Sequence, residues 1–456
     1  MRIIADLHLH SPYSRATSRR NSPAHLDRWA RIKGINLAGT GDCTHPQWLA
    51  DLQEALVPAE EGFYILKEDV RKDFDRSAAM EEGLPHPAET APVRFVLTGE
   101  VSTIYSRGGK TRKVHHVILL PGMESAAIFQ ARLEKTGGNI RSDGRPILGL
   151  DSRDLLEMLL ETDPRSMLIP AHIWTPWFSV LGARSGFDSI DECYRDLSPH
   201  IHAIETGLSS NPPMNWAVKS LDRFAIISNS DAHSPNKLGR EATVFEMEPS
   251  YPALTAALKA PGAVSGSPAI IETLEFFPQE GKYHYDGHRA CDISLIPEES
   301  AAAAGCCPVC GNPLTPGVLS RVRELAGQPV SEDAPCVGNF VASGPSEPLV
   351  RRRPYRSLIP LEEILGELLG VGVASKKVKA AYGKLIEKAG SEFAILIDLS
   401  IGELEKLNCP GIRGELLAAA VDRMQKGEVS ITAGYDGIYG IIRVFCRWSF
   451  MGFLEK

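Results

Sequence analysis

The sequence predicts a mixed α/β chain made of a seven-stranded β/α barrel, a small zinc-ribbon domain and a C-terminal, mainly helical region. Three observations predict it. Short β-branched runs alternate with helix-length segments up to about residue 275, the pattern of strand–helix repeats. A stretch rich in Cys, His, Gly and Pro follows, with too few apolar residues for a core of its own. Beyond it, apolar residues recur at helical spacing among charged ones.

Arg2–His10, Ile35–Asp42, Val93–Val101, Val114–Leu120, Met167–His172, Ile201–Thr206 and Phe224–Asp231 are apolar, β-branched runs and read as strands. Between them, Asp151–Glu161 and Met214–Leu221 read as helices. Seven such repeats suit a parallel barrel, which gathers its chemistry at the C-terminal ends of its strands. From Gly281 to about Val318 the cysteine-bearing segment needs a staple. Ala326–Pro348, rich in Pro, Gly and Ser, reads as a linker. Ile359–Met424 carries LEEILGELLG and GELLAAAVDRMQ, and Val429–Thr432 with Ile438–Phe445 forms a closing strand pair. The expected division is residues 1–278 for the barrel, 279–325 for the zinc-binding domain, 326–358 for the linker and 359–456 for the helical, DNA-binding region.

The chain has 456 residues, 43% hydrophobic and 23% charged, enough to bury a sizeable core and to exclude wholesale disorder. No long apolar run suggests a membrane span, and Met1–Asp6 reads as a strand rather than a leader, so a cytoplasmic setting is expected. Nine cysteines, mostly scattered, do not make a disulfide framework. The net charge of −8 puts any nucleic-acid contact on local basic patches.

The histidines carry more information. His8 and His10 are alternate residues of a strand and share a face. Alone, that pair is most simply two histidines on a half-exposed strand, but it has company. Asp42 and His45 end the second strand, Glu100 the third, His172 the fifth, and Asp231 with His233 the seventh; His115 and His116 open the fourth. Imidazole with carboxylate is the ligand set of zinc, manganese or iron rather than calcium. These groups exceed what one ion uses, so two or three divalent ions are expected. No Gly-x-Ser-x-Gly elbow and no Walker A pattern competes.

His288-x-x-Cys291 and Cys307-x-x-Cys310 are two short-spaced pairs that read as a closed structural zinc site, with Cys306 or His284 as the alternative fourth ligand. Four protein ligands leave no open position for catalysis. Arg107, Lys110, Arg112 and Lys113 sit on a glycine-bearing loop between the third and fourth strands, a candidate for holding a nucleic-acid strand. Trp174 and Trp177 closely follow His172 and are candidates for stacking on an extruded base; aromatics covering the barrel top are the equal alternative. Arg351 to Arg353, Arg356, Lys376, Lys377 and Lys379 add charge near the C-terminal helices, where a solvated face is the ordinary reading. Asn408–Leu417 weakly resembles a helix-hairpin-helix.

HLHS near the N-terminus, TGE, a strand-opening HV, AH and SDAH, in this order, resemble the PHP (polymerase and histidinol phosphatase) superfamily of distorted seven-stranded barrels with two- or three-metal phosphoesterase sites. The resemblance implies His8, His10, Glu100, His116, His172, Asp231 and His233 as ligands, with Glu100, Asp231 and His233 as catalytic members. Asp42 keeps the carboxylate of the second motif, while its histidine comes later, as His45. His115 is expected to face away from the site, and Glu205 to orient a ligand. No carboxylate or histidine follows HLHS in SPYSRATSRRN, a departure that bears on the third ion.

AHIWTPWFS, SGFDSI, IETGLSSNPPMNW, SNSDAHSP, YHYDGHR, CPVCG and GYDGIYGIIRVF extend the resemblance over nearly the whole chain, to the endonuclease Q family. It implies a DNA-repair nuclease that cuts on the 5′ side of deaminated bases (uracil, hypoxanthine, xanthine) and abasic sites. Its cofactors would be Zn, Mn or Mg in the barrel and one structural zinc, and its partner lesion-bearing DNA. A base pocket would donate hydrogen bonds to the carbonyl that replaces an amino group, from backbone N–H groups or Asn211. The resemblance implies a nucleoid-associated setting and no membrane contact; no clear sliding-clamp motif lies in Trp448–Leu454, although its aromatic residues could dock a repair or replication partner such as a sliding clamp. The competing readings are a small-molecule phosphoesterase of the histidinol phosphatase kind, which leaves the zinc ribbon without a role, and a non-catalytic DNA-binding protein.

Overall fold

The computed structural model describes residues 1–78, 87, 91–260, 266–328, 330 and 352–445. Most of the expected linker, Arg351 and the Trp448–Leu454 segment lie outside the described residues. Among the described residues, twelve strands precede the cysteine-bearing segment: β1 (Arg2–Asp6), β2 (Leu37–Gly39), β3 (Leu56–Pro58), β4 (Tyr64–Leu66), β5 (Arg94–Arg107), β6 (Lys110–Leu120), β7 (Ile147–Leu148), β8 (Met167–Pro170), β9 (Ala203–Glu205), β10 (Ala225–Ile227), β11 (Ala242–Glu246) and β12 (Ala269–Glu275). Each of the seven expected strands corresponds to one of these, namely β1, β2, β5, β6, β8, β9 and β10.

The architecture is mixed α/β around a central sheet. β1 pairs in parallel with β2, and β2 with β5. The expectation of a uniformly parallel sheet fails at β6, which runs antiparallel to both β5 and β8. The cause is local. Gly108 and Gly109, at φ 61° and 72°, make the two-residue turn that folds β5 straight back into a hairpin. β9 and β10 form a separate parallel pair. The chain just past β10 returns to β1 through a parallel bridge between Leu9 and Ala232, and Ile173 N–H donates to the Glu205 carbonyl at 3.1 Å beyond β8.

Strand alternation sorts the apolar side chains into two buried layers. Ile3, Ala5, Leu7, Leu37, Val96, Val117, Ile169 and Ile227 pack together inside the sheet. Ile4, Ala38, Phe95, Leu97 and Ile118 face the other way, toward the helices. Burial on both faces explains the near-continuous apolar runs in the sequence. The helices start and stop where side chains satisfy their ends. The Ser22 hydroxyl and Pro23 open Pro23–Lys33, and left-handed Gly34 closes it. Asp151 caps Ser152–Thr162. The expected helix Met214–Leu221 is instead a short turn, Pro212–Trp216, and a separate 3-10 turn, Lys219–Leu221.

The cysteine-bearing segment folds as a small hairpin, β13 (Asp286–His288) with β14 (Ile293–Leu295). It is anchored by the helix Val318–Ala326. The buried Arg321 of that helix donates to the carbonyls of Leu181 and Phe187, both at 3.0 Å, and to Asp188 at 2.5 Å. Next, β15 (Tyr355–Ser357) adds to the central sheet beside β12. The C-terminal region is mainly helical, with Leu361–Leu369, Lys376–Ala389, Ile401–Leu404 and Gly414–Gln425 followed by the pair β16 (Ser430–Thr432) and β17 (Ile441–Arg443). It docks through a buried ion pair: Lys33 Nζ lies 2.6 Å from Glu392 Oε2, with side chains 5% and 4% exposed. Tyr382 O–H (2.6 Å) and Leu361 N–H (3.0 Å) also donate to Glu392. Phe393 lies against Gly239, in the loop that follows Asp231 and His233. No described helix is long and apolar enough to cross a membrane.

Candidate active site

Six of the expected ligands meet at one end of the sheet. His8 and His10 leave β1, and Asp231 and His233 lie just past β10. Glu100 sits within β5 rather than at its end, and His172 follows β8. His172 and Asp231 adopt left-handed backbone at φ 28° and 49°, as does Asp42 at 44°. Such conformations are uncommon for residues other than Gly and cluster where side chains must be aimed. Three sets of donor atoms each fall within 4.8 Å: His8, His10 and Glu100; His10, Asp231 and His233; Glu100, His115 and His172. His10 and Glu100 are shared, so the sets form one continuous cluster.

His115 takes the place expected of His116. In the β5–β6 ladder Glu100 opposes Val117 and Ser102 opposes His115, so Glu100 and His115 share a face while His116 opposes Val101 on the other. His115 Nδ1 lies 2.6 Å from Glu100 and 3.2 Å from His172 Nε2. His116 points away, with one ring nitrogen at Tyr194 O–H (2.9 Å) and the other at Thr103 Oγ1 (3.1 Å). Burial pushes both imidazoles down, His115 to about 4 and His116 to about 3. A neutral His115 is in the form that ligates metal.

Asp42 and His45 also depart from expectation. Asp42 accepts from Ser11 N–H (2.7 Å), Ser11 Oγ (2.6 Å) and Ser14 Oγ (2.8 Å), and holds His10 Nδ1 at 3.1 Å. Its oxygens are therefore spent orienting a ligand. His45 caps the helix Pro46–Ala55 through the Trp48 N–H and stacks on Tyr13 at 4.4 Å. Placed at a helix start, its ring is committed to the backbone. Glu205 orients as expected, holding His8 Nδ1 at 3.0 Å and accepting from Asn229 and from His172 N–H, both at 2.8 Å. Ser179 Oγ lies 3.1 Å from His172 Nδ1. Partners of this kind fix imidazole orientation around a metal.

The donor set fits divalent cations. His8 Nε2 is buried and has no hydrogen-bond partner among the described residues, and it faces Asp231 at 3.7 Å and Glu100 at 3.8 Å. An aimed, unsatisfied nitrogen between two carboxylates suits a cation. Burial opposes charge on His8 and His10, but the Glu205 and Asp231 carboxylates beside His8 and Asp42 beside His10 outweigh it. They hold His8 well above the ordinary range and His10 at about 10. A bound cation would displace those protons. Arg145, which sequence reasoning missed, donates to Glu100 at 3.0 Å. Nothing in Gly144-Arg145-Pro146 signals it, because its loop is remote from every ligand motif.

The second expected centre also assembles. The donor atoms of His288, Cys291, Cys307 and Cys310 lie within 4.8 Å of one another, and Cys306 and His284 are not in the set. Burial works against a thiolate at Cys307, but the N–H groups of Cys310 and Val309 pull it down to about 6.

The proposed DNA contacts fare unevenly. Trp174 is 1% exposed and its indole N–H donates to Asn215 at 2.8 Å, which removes it as a stacking surface. Trp177 is 38% exposed, edge-on to Tyr283. Arg107 is tied to Asp151, Glu192 and Cys193, and Arg112 to the Gly186 carbonyl and the Phe187 ring, so both brace the hairpin. Lys110 is exposed at the hairpin tip, about 17 Å along the strand from His115. Lys113 lies over Phe178, which is half-buried against His115. Asn211 caps the turn Pro212–Trp216 through its carbonyl oxygen. Lys376, Lys377 and Lys379 are exposed, while Arg356 pairs with Glu272 at 2.8 Å and Arg352 stacks on Trp216.

Known proteins share the sequence and the fold of this chain. The family model described as the MJ0043 C-terminal domain matches residues 360–426. The uncharacterized protein MJ0043 of Methanocaldococcus jannaschii is 31% identical over 277 residues, 59% of this chain, and the match spans only 31% of that longer protein. The uncharacterized protein YqxK of Bacillus subtilis is 27% identical over 416 residues, covering 90% of this chain and 89% of its own. Two solved structures share the fold at a TM-score of 0.77. One is the lesion-specific endonuclease PfuEndoQ from Pyrococcus furiosus, 30% identical, covering 97% of this chain and 95% of that one. The other is endonuclease Q in complex with a 27-mer duplex substrate carrying an abasic lesion at the active site, 31% identical, covering 97% and 96%. With that identity sustained from end to end on a shared backbone course, the chain belongs to the endonuclease Q family.

Proposed function

We propose that this protein is a metal-dependent DNA-repair endonuclease that hydrolyses the phosphodiester 5′ to deaminated bases (uracil, hypoxanthine, xanthine) and abasic sites. The observation that carries the reading is the convergence of His8, His10, Glu100, His115, His172, Asp231 and His233 on one end of the sheet. The relative solved with an abasic duplex supports DNA as the substrate. In this reading those seven residues hold two or three ions of zinc, manganese or magnesium, and the seven expected strands act as a distorted PHP-type barrel. His288, Cys291, Cys307 and Cys310 hold one structural zinc. Bound there, divalent ions supply Lewis acidity and an activated water for in-line attack on phosphorus. The chain's own part is to fix the donor atoms: Glu205 and Asp42 turn His8 and His10 inward, and Ser179 turns His172. A deaminated base pairs poorly, so extruding it costs less than extruding a normal one, and selection begins there.

The test is a nicking assay on labelled duplexes differing at one position: adenine, hypoxanthine, cytosine, uracil or an abasic site, with magnesium, manganese or EDTA. Incision 5′ to the modified positions, lost in EDTA and lost in Asp231→Ala while lesion-DNA binding persists, is the expected result. Turnover of small phosphate monoesters without incision would move the protein to a phosphatase.

A further inference from the structure

We infer that Arg145 is the residue that grips the phosphate oxygens of the DNA strand at the metal-ligand cluster. The inference rests on the nuclease reading above and adds a residue that no ligand motif contains. Arg145 lies at the mouth of the cluster with its side chain 26% exposed, so it reaches both the buried carboxylate and solvent. Its neighbours are neutralised elsewhere: Arg15 pairs with Asp143 at 3.4 Å and Arg141 with Glu134 at 3.1 Å. Arg145 instead faces Glu100, whose oxygens are also approached by His115 (2.6 Å), His172 (3.3 Å), His10 (3.5 Å) and His8 (3.8 Å). Glu100 is thus shared among four imidazoles and the guanidinium, and it accepts a single hydrogen bond from Arg145. A guanidinium has five N–H donors in a planar fork, and among the described residues only Nη1 is engaged, at 3.0 Å. The remaining donors suit a bidentate grip on a phosphate.

The loop that carries Arg145 is built to aim it. Asp143 Oδ1 accepts the backbone N–H groups of both Arg15 (3.3 Å) and Arg145 (3.2 Å). Gly144 N–H donates to the Tyr13 carbonyl at 3.0 Å, and the Pro146 carbonyl accepts from Ser102 N–H at 2.9 Å. Gly144 packs so closely that a Cβ there would sit 2.1 Å from Asp42 Oδ2 and 2.5 Å from Ser14 Oγ. The same Asp42 holds His10, so this contact locks the arginine to the ligand framework.

The test uses the full chain with Arg145→Met and Arg145→Lys. The salt dependence of binding to an abasic duplex is measured in EDTA, single-turnover nicking in manganese, and metal content after dialysis. Arg145→Met should lower the slope of log K against log salt by about one and slow nicking by about 10²- to 10³-fold, with metal content unchanged. Arg145→Lys should restore the slope and recover nicking in part, because it returns the charge without the fork. Wild-type slope and rate in Arg145→Met would overturn the inference. Loss of metal from Arg145→Met would also overturn it, by showing that the arginine only braces Glu100. No nicking by the wild-type protein would instead overturn the nuclease reading itself.

Discussion

His115 and His116 are adjacent in sequence and opposite in role, and substituting each in turn tests the register that separates them. His115→Ala removes a nitrogen 2.6 Å from Glu100 and 3.2 Å from His172. If these three share an ion, its loss forfeits several kcal/mol of charge stabilisation in the transition state. At 1.36 kcal/mol per tenfold, about 4 kcal/mol is roughly a 10³-fold slower nick. The fold should survive, because the buried His115 ring faces the polar groups Glu100 and His172 and the half-buried Phe178. His116→Ala has the reverse profile. It strands the buried Tyr194 hydroxyl, while Thr103 keeps the Val114 carbonyl and Ser152 at 3.2 Å each. One unsatisfied hydroxyl and a small cavity together cost about 3 kcal/mol. Single-turnover nicking and urea unfolding on both variants provide the two readouts. An inactive but stable His116→Ala beside a fully active His115→Ala would refute the face assignment.

Two further outcomes are expected. Burial pushes the Glu275 carboxyl up to about 7 from an ordinary 4.5, against hydrogen bonds from Ser228 and Thr206. Its folded value exceeds its unfolded one, so the stabilisation is full below about pH 4.5 and lost as pH rises through 7. Glu275→Gln should therefore unfold like wild type at pH 4.5 but be more stable at pH 8, by up to about 3 kcal/mol; equal stability at pH 8 would contradict the assigned protonation. Cys307→Ser should lose the proposed structural zinc, read by metal analysis, and lower the midpoint of thermal unfolding; an unchanged zinc content removes Cys307 from the ligand set.

The strands and most of the clustered side chains were legible in the sequence because their signals are local. A strand that ends in His, Asp or Glu carries its chemistry within a few residues. His115 was not legible, because which of two adjacent side chains faces inward depends on register with β5, and register is set by the Gly108–Gly109 turn. His45 was misread for a related reason: before Pro46 the same residue is a helix cap, and its neighbourhood in space decides between the two. The basic hairpin looked like a DNA contact by composition, yet Arg107 and Arg112 are consumed by packing that spans distant segments. Arg145 is the converse, a lone arginine whose meaning comes only from the fold bringing it to Glu100.

The Lys33–Glu392 pair limits how this protein can be cut or recombined. The N-terminal α/β part produced alone would keep Lys33 on a surface shaped to be covered, with its counter-charge gone. Phe393 would no longer lean on Gly239, whose N–H steadies Asp6 at 2.9 Å behind the Asp231 loop. Severing the C-terminal piece therefore disturbs the floor under the His, Asp and Glu cluster. Exchanging that piece for a relative's should succeed only when position 33 is exchanged with it, because each half carries one charge of the buried pair.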